Sequence, residues 1–203
     1  MKKIIIFDFD GVLIDSLKNM NYAWSKSCKE NNIYVNFSLY KKYIGLPFNE
    51  ILKKLKINKK EYTKISKSYE HHSSNMIKMI KITKNDLFFL KKLKKNYTLA
   101  LFTSKSKKRS EEILLKNKSL FKYRIYPSNK IKGKPNPDGL NKIISLSKFK
   151  KKDAIYLGDT FYDYKASSKA KIDYLHASWG YQKIFYKKVN KISKLENITK
   201  YLK

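Results

Sequence analysis

The stretch Ile4-Ile5-Ile6-Phe7-Asp8-Phe9-Asp10-Gly11-Val12 decides the fold. Four apolar residues in a row, with no polar alternation, suit a strand buried on both faces of a parallel sheet. Two carboxylates follow at once. Asp8 and Asp10 stand two apart, so on extended chain both can face one side. Similar runs recur at Leu99-Ala100-Leu101-Phe102, at Ala154-Ile155-Tyr156-Leu157 and over residues 172–177. A fifth, weaker strand is expected over residues 123–126.

Helical patterns lie between these runs. Thr83-Lys84-Asn85-Asp86 resembles a capping box, with Leu87, Leu90 and Leu93 on one face behind it. Ile113, Leu114 and Leu115 centre a second helix, and Pro137 opens a third over Leu140, Ile143, Ile144 and Leu146. Residues 161–170 make a fourth. A last helix over residues 192–202 is expected to pack Leu195, Ile198 and Leu202 onto the core. Strands alternating with helices of this length predict an α/β fold with a doubly wound parallel sheet.

Residues 16–82 break that rhythm. Leu17, Met20, Trp24 and Cys28 keep helical spacing, as do Tyr62, Ile65, Tyr69, Met76 and Ile80. Shorter helices are expected over 37–43 and 48–55, and no strand. The pattern predicts a small all-helical unit, residues 16–82, inserted into an α/β core domain made of 1–15 and 83–203.

Composition narrows the function classes. The 203 residues hold 47 Lys and Arg against 16 Asp and Glu, a formal charge of +31. Such an excess invites a nucleic-acid reading. Its make-up opposes one. Arg, which reads phosphate and guanine bidentately, occurs only at Arg109 and Arg124. The Lys are spread over the whole chain, as solvated helix faces and compositional bias would spread them. No specific nucleic-acid partner is expected. Cys28 is alone, so no intrachain disulfide and no Cys-based zinc site can form. Asp8 and Asp10 cut the first apolar run short of a signal sequence, and no run reaches membrane-spanning length. A soluble cytoplasmic protein with no membrane partner, a monomer or a homodimer, is the expectation.

In an open α/β sheet, ligands bind beyond the carboxyl ends of the strands. Asp8 and Asp10 follow the first run, Thr103 and Ser104 the second. Gly158 and Asp159 follow the third, with Asp163 one helical turn on. Clustered carboxylates repel one another and need a cation or protons. The ligands are hard oxygens with no His or Cys nearby in sequence, which favours Mg²⁺. Gly133-Lys134-Pro135-Asn136-Pro137 supplies Lys134 as a further cation on a rigid loop.

Taken together, these segments resemble the haloacid dehalogenase superfamily in its phosphatase form. Phe7-Asp8-Phe9-Asp10-Gly11-Val12 matches the first motif, Thr103 the second, Lys134 the third and Gly158-Asp159-Thr160-Phe161-Tyr162-Asp163 the fourth. Their order and relative spacing agree over nearly the whole chain. The resemblance implies a Rossmann-like core and Mg²⁺-dependent phosphoryl transfer from a small phosphorylated metabolite. It implies that Asp8 is the nucleophile and that Asp10 is the general acid and base. Thr103, Ser104 (through its backbone N–H) and Lys134 would hold the phosphoryl oxygens. Asp8, Asp10 (through its carbonyl) and Asp159 would hold the metal, with Asp163 supporting the metal shell or orienting Lys134. It further implies that residues 16–82 are the small helical cap, since about thirty residues between Thr103 and Lys134 leave no room for the larger kind. Lys41-Lys42-Tyr43-Ile44-Gly45-Leu46 resembles the specificity loop. Trp179-Gly180-Tyr181 resembles a segment of the phosphoglycolate phosphatase branch.

His71-His72 looks like a metal pair, but adjacent helical residues point about 100° apart, so a surface or packing role is expected. Two alternatives remain open. One is a β-phosphoglucomutase, although Met20 and Phe48 stand where that branch resembles this chain but carries a His and an Arg. The other is a basic binding protein that keeps the fold as a scaffold.

Overall fold

In a computed structural model of the chain, which describes residues 1–183 and 189–203, the apolar runs are strands. They are β1 (Ile4–Phe7), β2 (Thr98–Phe102), β3 (Tyr123–Ile125), β4 (Ala154–Gly158), β5 (Asp173–Ala177) and β6 (Asn190–Ile192). All pair in parallel, in the order β3-β2-β1-β4-β5-β6. The doubly wound α/β sheet expected from the sequence is the fold.

Both sheet faces are covered, which is why the runs do not alternate. Ile5, Phe7, Leu99, Leu101, Ile155 and Leu157 point into one core. That core is closed by α5 (Lys84–Lys94), α6 (Lys107–Leu114) and the C-terminal segment. Ile4, Ile6, Ala100, Phe102 and Tyr156 point into the other, closed by α7 (Asp138–Ser147) and α8 (Phe161–Ala170). Gly139 on α7 permits that second contact: a Cβ there would lie 2.1 Å from the Phe102 ring. Gly139→Ala should therefore cost about 1–3 kcal/mol of stability through overpacking. Urea denaturation reads the effect, and an unchanged midpoint would show that Phe102 can yield.

The structure departs from expectation at three helix ends. The helix foreseen over 192–202 is instead the edge strand β6 followed by a 3-10 helix, Leu195–Tyr201. Leu195, Ile198 and Leu202 are nonetheless buried. In a 3-10 helix residues three apart eclipse, so Leu195 and Ile198 share a face there as they would on an α-helix, and Leu202 follows at the helix end. The helix centred on 113–115 stops at Leu114. Leu115 takes φ +44° and faces solvent, and a 3-10 stretch then turns Leu120 into the core.

Residues 16–82 carry α1 (Leu17–Glu30), α2 (Phe37–Lys41), α3 (Phe48–Lys54) and α4 (Tyr62–Asn75), and no named strand. Met20, Trp24, Cys28, Tyr40, Leu52 and Ile65 share a third apolar cluster among these helices. The expected run to Ile80 is shorter: α4 ends at Asn75, a 3-10 turn covers Ile77–Met79, and Ile80 joins the sheet core. Among the described residues, no helix is long and apolar enough to cross a membrane.

Candidate active site

The chain leaves β1 towards β2 on one side and is flanked by β4 on the other. This is the point in a doubly wound sheet where a crevice opens. Phe7 pairs with Leu157, so Asp8 and Asp159 emerge close together just beyond that pair. Carboxylate oxygens of Asp8, Asp159 and Asp163 all lie within 4.8 Å of one another, and all three residues are buried.

Lys134 enters this cluster from its loop. Its Nζ stands 2.6 Å from Asp8 Oδ1 and 2.6 Å from Asp163 Oδ1, fully buried. Asp8 Oδ1 also accepts the Phe9 N–H at 2.7 Å. Asp163 is fixed by its own helix start. Its Oδ2 accepts the Thr160 N–H at 2.9 Å and the Thr160 hydroxyl at 2.6 Å, completing a capping box. Tyr156 donates its hydroxyl to Asp163 Oδ1 at 2.5 Å.

The charges do not balance. One ammonium faces three carboxylates. Burial, and then the Asp163 charge, push the Asp8 carboxyl up to about 8 against the pull of Lys134. Burial and the charges of Asp163 and Asp8 push Asp159 well above the usual carboxylate range. Burial opposes ionisation of Asp163 too, but Lys134 and the Thr160 and Tyr156 hydrogen bonds hold it low. Among the described residues Asp159 Oδ1 is buried with no hydrogen-bond partner, while its Oδ2 accepts the Tyr181 N–H at 2.6 Å. A compact set of hard oxygens, an excess of negative charge and one orphaned oxygen together fit a divalent cation such as Mg²⁺. The Asp10 carboxylate is not in that set.

Gly11 lets the turn after β1 close over this cluster. It takes φ +78°, and a Cβ there would lie 2.1 Å from Asp159 Oδ2. Asp10, just before it, turns elsewhere. Its Oδ1 accepts the Ser16 hydroxyl and lies 3.1 Å from Lys105 Nζ. Ser16 in turn donates its N–H to the Tyr181 hydroxyl at 2.7 Å. Thr103 is buried at the end of β2, its Oγ1 accepting the Lys105 N–H at 3.1 Å. The Ser104 hydroxyl is used structurally, donating to the Gly45 carbonyl at 2.6 Å.

Asp8, Asp10, Thr103, Ser104 and Lys134 line one cavity of about 360 Å³, whose lining also includes Met20, Phe48 and Tyr69. Lys41, the last residue of α2, and Lys42 after it are exposed. His71 is exposed, and His72 Nε2 stands 2.6 Å from Glu30 Oε1, so the pair packs and pairs locally.

Sequence reasoning missed three participants. Lys105 is adjacent to Thr103-Ser104 but hidden among so many Lys. Ser16 and the Tyr181 N–H reach the site only through folding, although Trp179-Gly180-Tyr181 drew notice as a segment. Trp179 Nε1 donates to the Val12 carbonyl at 3.1 Å, which ties that segment to the turn after β1.

Comparison with known proteins identifies the family. A phosphoglycolate phosphatase of Aquifex aeolicus (strain VF5) is 29% identical over 188 residues, spanning 90% of this chain and 87% of that protein. A haloacid dehalogenase-like family hydrolase from Streptococcus pneumoniae superposes with a TM-score of 0.84 at 19% identity, covering 100% of this chain and 99% of that one. A hydrolase from Pseudomonas syringae gives 0.81 at 21% identity, covering 90% and 88%. These two likenesses establish the shared fold. The family pattern of haloacid dehalogenase-like hydrolases matches residues 5–177, most of the chain. The chain therefore belongs to the haloacid dehalogenase-like hydrolase family, as an enzyme of its phosphatase type.

Proposed function

We propose that the enzyme hydrolyses a small phosphomonoester (a phosphoglycolate, sugar phosphate or nucleotide) through an aspartyl-phosphate on Asp8, with Mg²⁺ as cofactor, in a reducing cytoplasm. The observation that carries this reading is the pairing of Asp8 with Lys134 in the lining of a cavity that Asp10 also lines. Both hydrogen bonds to Asp8 fall on Oδ1, which leaves Oδ2 to attack. As Oδ2 bonds to phosphorus, the bond from phosphorus to the leaving oxygen breaks. Asp10 passes a proton to that oxygen, releasing an alcohol. Asp10 then takes a proton from an entering water. The new oxygen–phosphorus bond forms, and the bond to Asp8 breaks, restoring the carboxylate.

Lys134 and the Thr103 hydroxyl hold phosphoryl oxygens as charge spreads over them, and the Ser104 N–H adds a donor. Asp163 orients Lys134, as its 2.6 Å contact and rigid capping box suit it to do. Asp8, the Asp10 carbonyl and Asp159 would hold Mg²⁺, which offsets negative charge at the phosphoryl group when bound. Residues 16–82 act as the cap, reaching the site through Gly45, whose carbonyl binds Ser104. Met20 and Phe48 line the cavity without the hydrogen-bonding or charged groups a bisphosphorylated intermediate requires, so the phosphoryl group goes to water.

The test is Asp10→Asn. The amide keeps the Ser16 hydrogen bond but cannot shuttle the proton. Turnover of a monoester with a poor leaving group should fall roughly 10²–10⁴-fold. A loss under about tenfold would remove Asp10 from the acid–base role.

A further inference from the structure

We propose that the substrate's leaving group is an uncharged alcohol bearing a flat ring, a nucleoside or other aromatic alcohol, seated against Phe48 and Tyr69. The inference rests on the phosphatase reading above and narrows it. The cavity, at about 360 Å³, lies within the range of roughly 300–1,000 Å³ that takes ligands of drug-like size. A two-carbon leaving group would leave much of it empty.

Part of the cavity lining is aromatic. Phe48 and Tyr69 both line the cavity and are only half-buried, with ring centroids 4.5 Å apart at 33°. Tyr40 stacks behind Tyr69 at 6.2 Å, and their hydroxyls lie 3.4 Å apart, which steadies the shelf. Met20 and Ile51 extend the apolar surface. Asn49 and Ser66 also line the cavity and can hydrogen-bond the polar rim of a ring or ribose.

Charge points the same way. The chain has 47 Lys and Arg, and among the described residues three line this cavity. Each already faces a carboxylate: Lys134 has Asp8 and Asp163, Lys105 has Asp10, and Arg109 has Glu112 at 3.1 Å. Arg109 is further held by the Ser73 carbonyl at 3.1 Å and the Ser73 hydroxyl at 2.5 Å. Lys134 is given to the phosphoryl group, and Lys105 and Arg109 are each neutralised by a carboxylate, so among the described residues no unpaired lining cation awaits a carboxylate on the leaving group. Aromatic faces carry partial negative charge, so a carboxylate against Phe48 and Tyr69 is opposed rather than held. A neutral flat ring gains stacking there without that cost.

The experiment compares kcat/KM in Mg²⁺ for four monoesters: uridine 5′-monophosphate, p-nitrophenyl phosphate, phosphoglycolate and glucose 6-phosphate. Uridine monophosphate should lead phosphoglycolate and glucose 6-phosphate by roughly tenfold or more. Phe48→Ala and Tyr69→Ala should each raise KM for uridine monophosphate roughly 5- to 100-fold, the range of a lost base–aromatic stack. They should also collapse its advantage over phosphoglycolate. Phe48→Leu keeps bulk without a flat face and should move KM in the same direction with the thermal midpoint held. A lead for phosphoglycolate or glucose 6-phosphate overturns this inference alone, as does an unchanged KM in Phe48→Leu. p-Nitrophenyl phosphate, whose leaving group is intrinsically good, serves as the control for the chemistry, and its rate neither supports nor opposes the ring-binding inference. No phosphate release from any of the four overturns the phosphatase reading, and this one with it.

Discussion

Asp8→Asn protein should fold and release phosphate at least about 10⁴-fold more slowly than the native enzyme, the scale of losing a nucleophile. The amide oxygen can still accept the Phe9 N–H and the Lys134 ammonium, now joined to Asp8 at 2.7 and 2.6 Å. What disappears is the charged second oxygen that would attack phosphorus. Stability should not suffer. Burial and Asp163 push the Asp8 carboxyl up to about 8, so its ionised form is unfavourable in the metal-free fold. A neutral amide of the same shape removes that cost. Circular dichroism and thermal melting establish the fold, and phosphate release establishes the loss. Native-like turnover in a preparation free of wild-type enzyme would rule out Asp8 as the nucleophile.

The parts of this site that could be read in advance share one physical origin. A parallel sheet buried on both faces writes itself as uninterrupted apolar runs. Its carboxyl ends all open on one edge, so whatever follows each run converges. Asp8 after β1, Thr103 after β2 and Asp159 after β4 are brought together for that reason. Asp163 follows because it is the third residue of a helix that Thr160 caps. The edge strand β6 could not be read so. Asn190 and Lys191 are exposed and only Ile192 is buried, leaving no run to notice. The partners of Asp10 were equally hidden. Lys105 has the commonest side chain in the chain, and only its place beside Asp10 distinguishes it. The Tyr181 N–H that meets Asp159 is a backbone group, and its direction depends on a turn that side-chain chemistry does not announce.

Removing divalent metal with EDTA should abolish turnover, and adding Mg²⁺ should restore it. The same ligand set makes a second, activity-free expectation. In the metal-free fold Asp8 and Asp159 both titrate above the usual carboxylate range, chiefly through burial. Near neutral pH the folded chain then holds protons that the unfolded chain has already released. Stability must fall as pH rises wherever the folded state binds more protons. The window opens at ordinary carboxylate values, near 3.8, and for Asp8 closes near about 8. Mg²⁺ competes with those protons for the same oxygens, including the orphaned Asp159 Oδ1. Its binding should therefore raise the thermal midpoint more at pH 8 than at pH 6, because fewer protons need displacing. Asp159→Asn removes one ligand charge and should weaken the Mg²⁺-dependent rise at both values. Thermal melts at matched ionic strength, with and without Mg²⁺, read this directly. A rise equal at both pH values, or one untouched by Asp159→Asn, would place the bound ion away from the Asp8, Asp159 and Asp163 cluster.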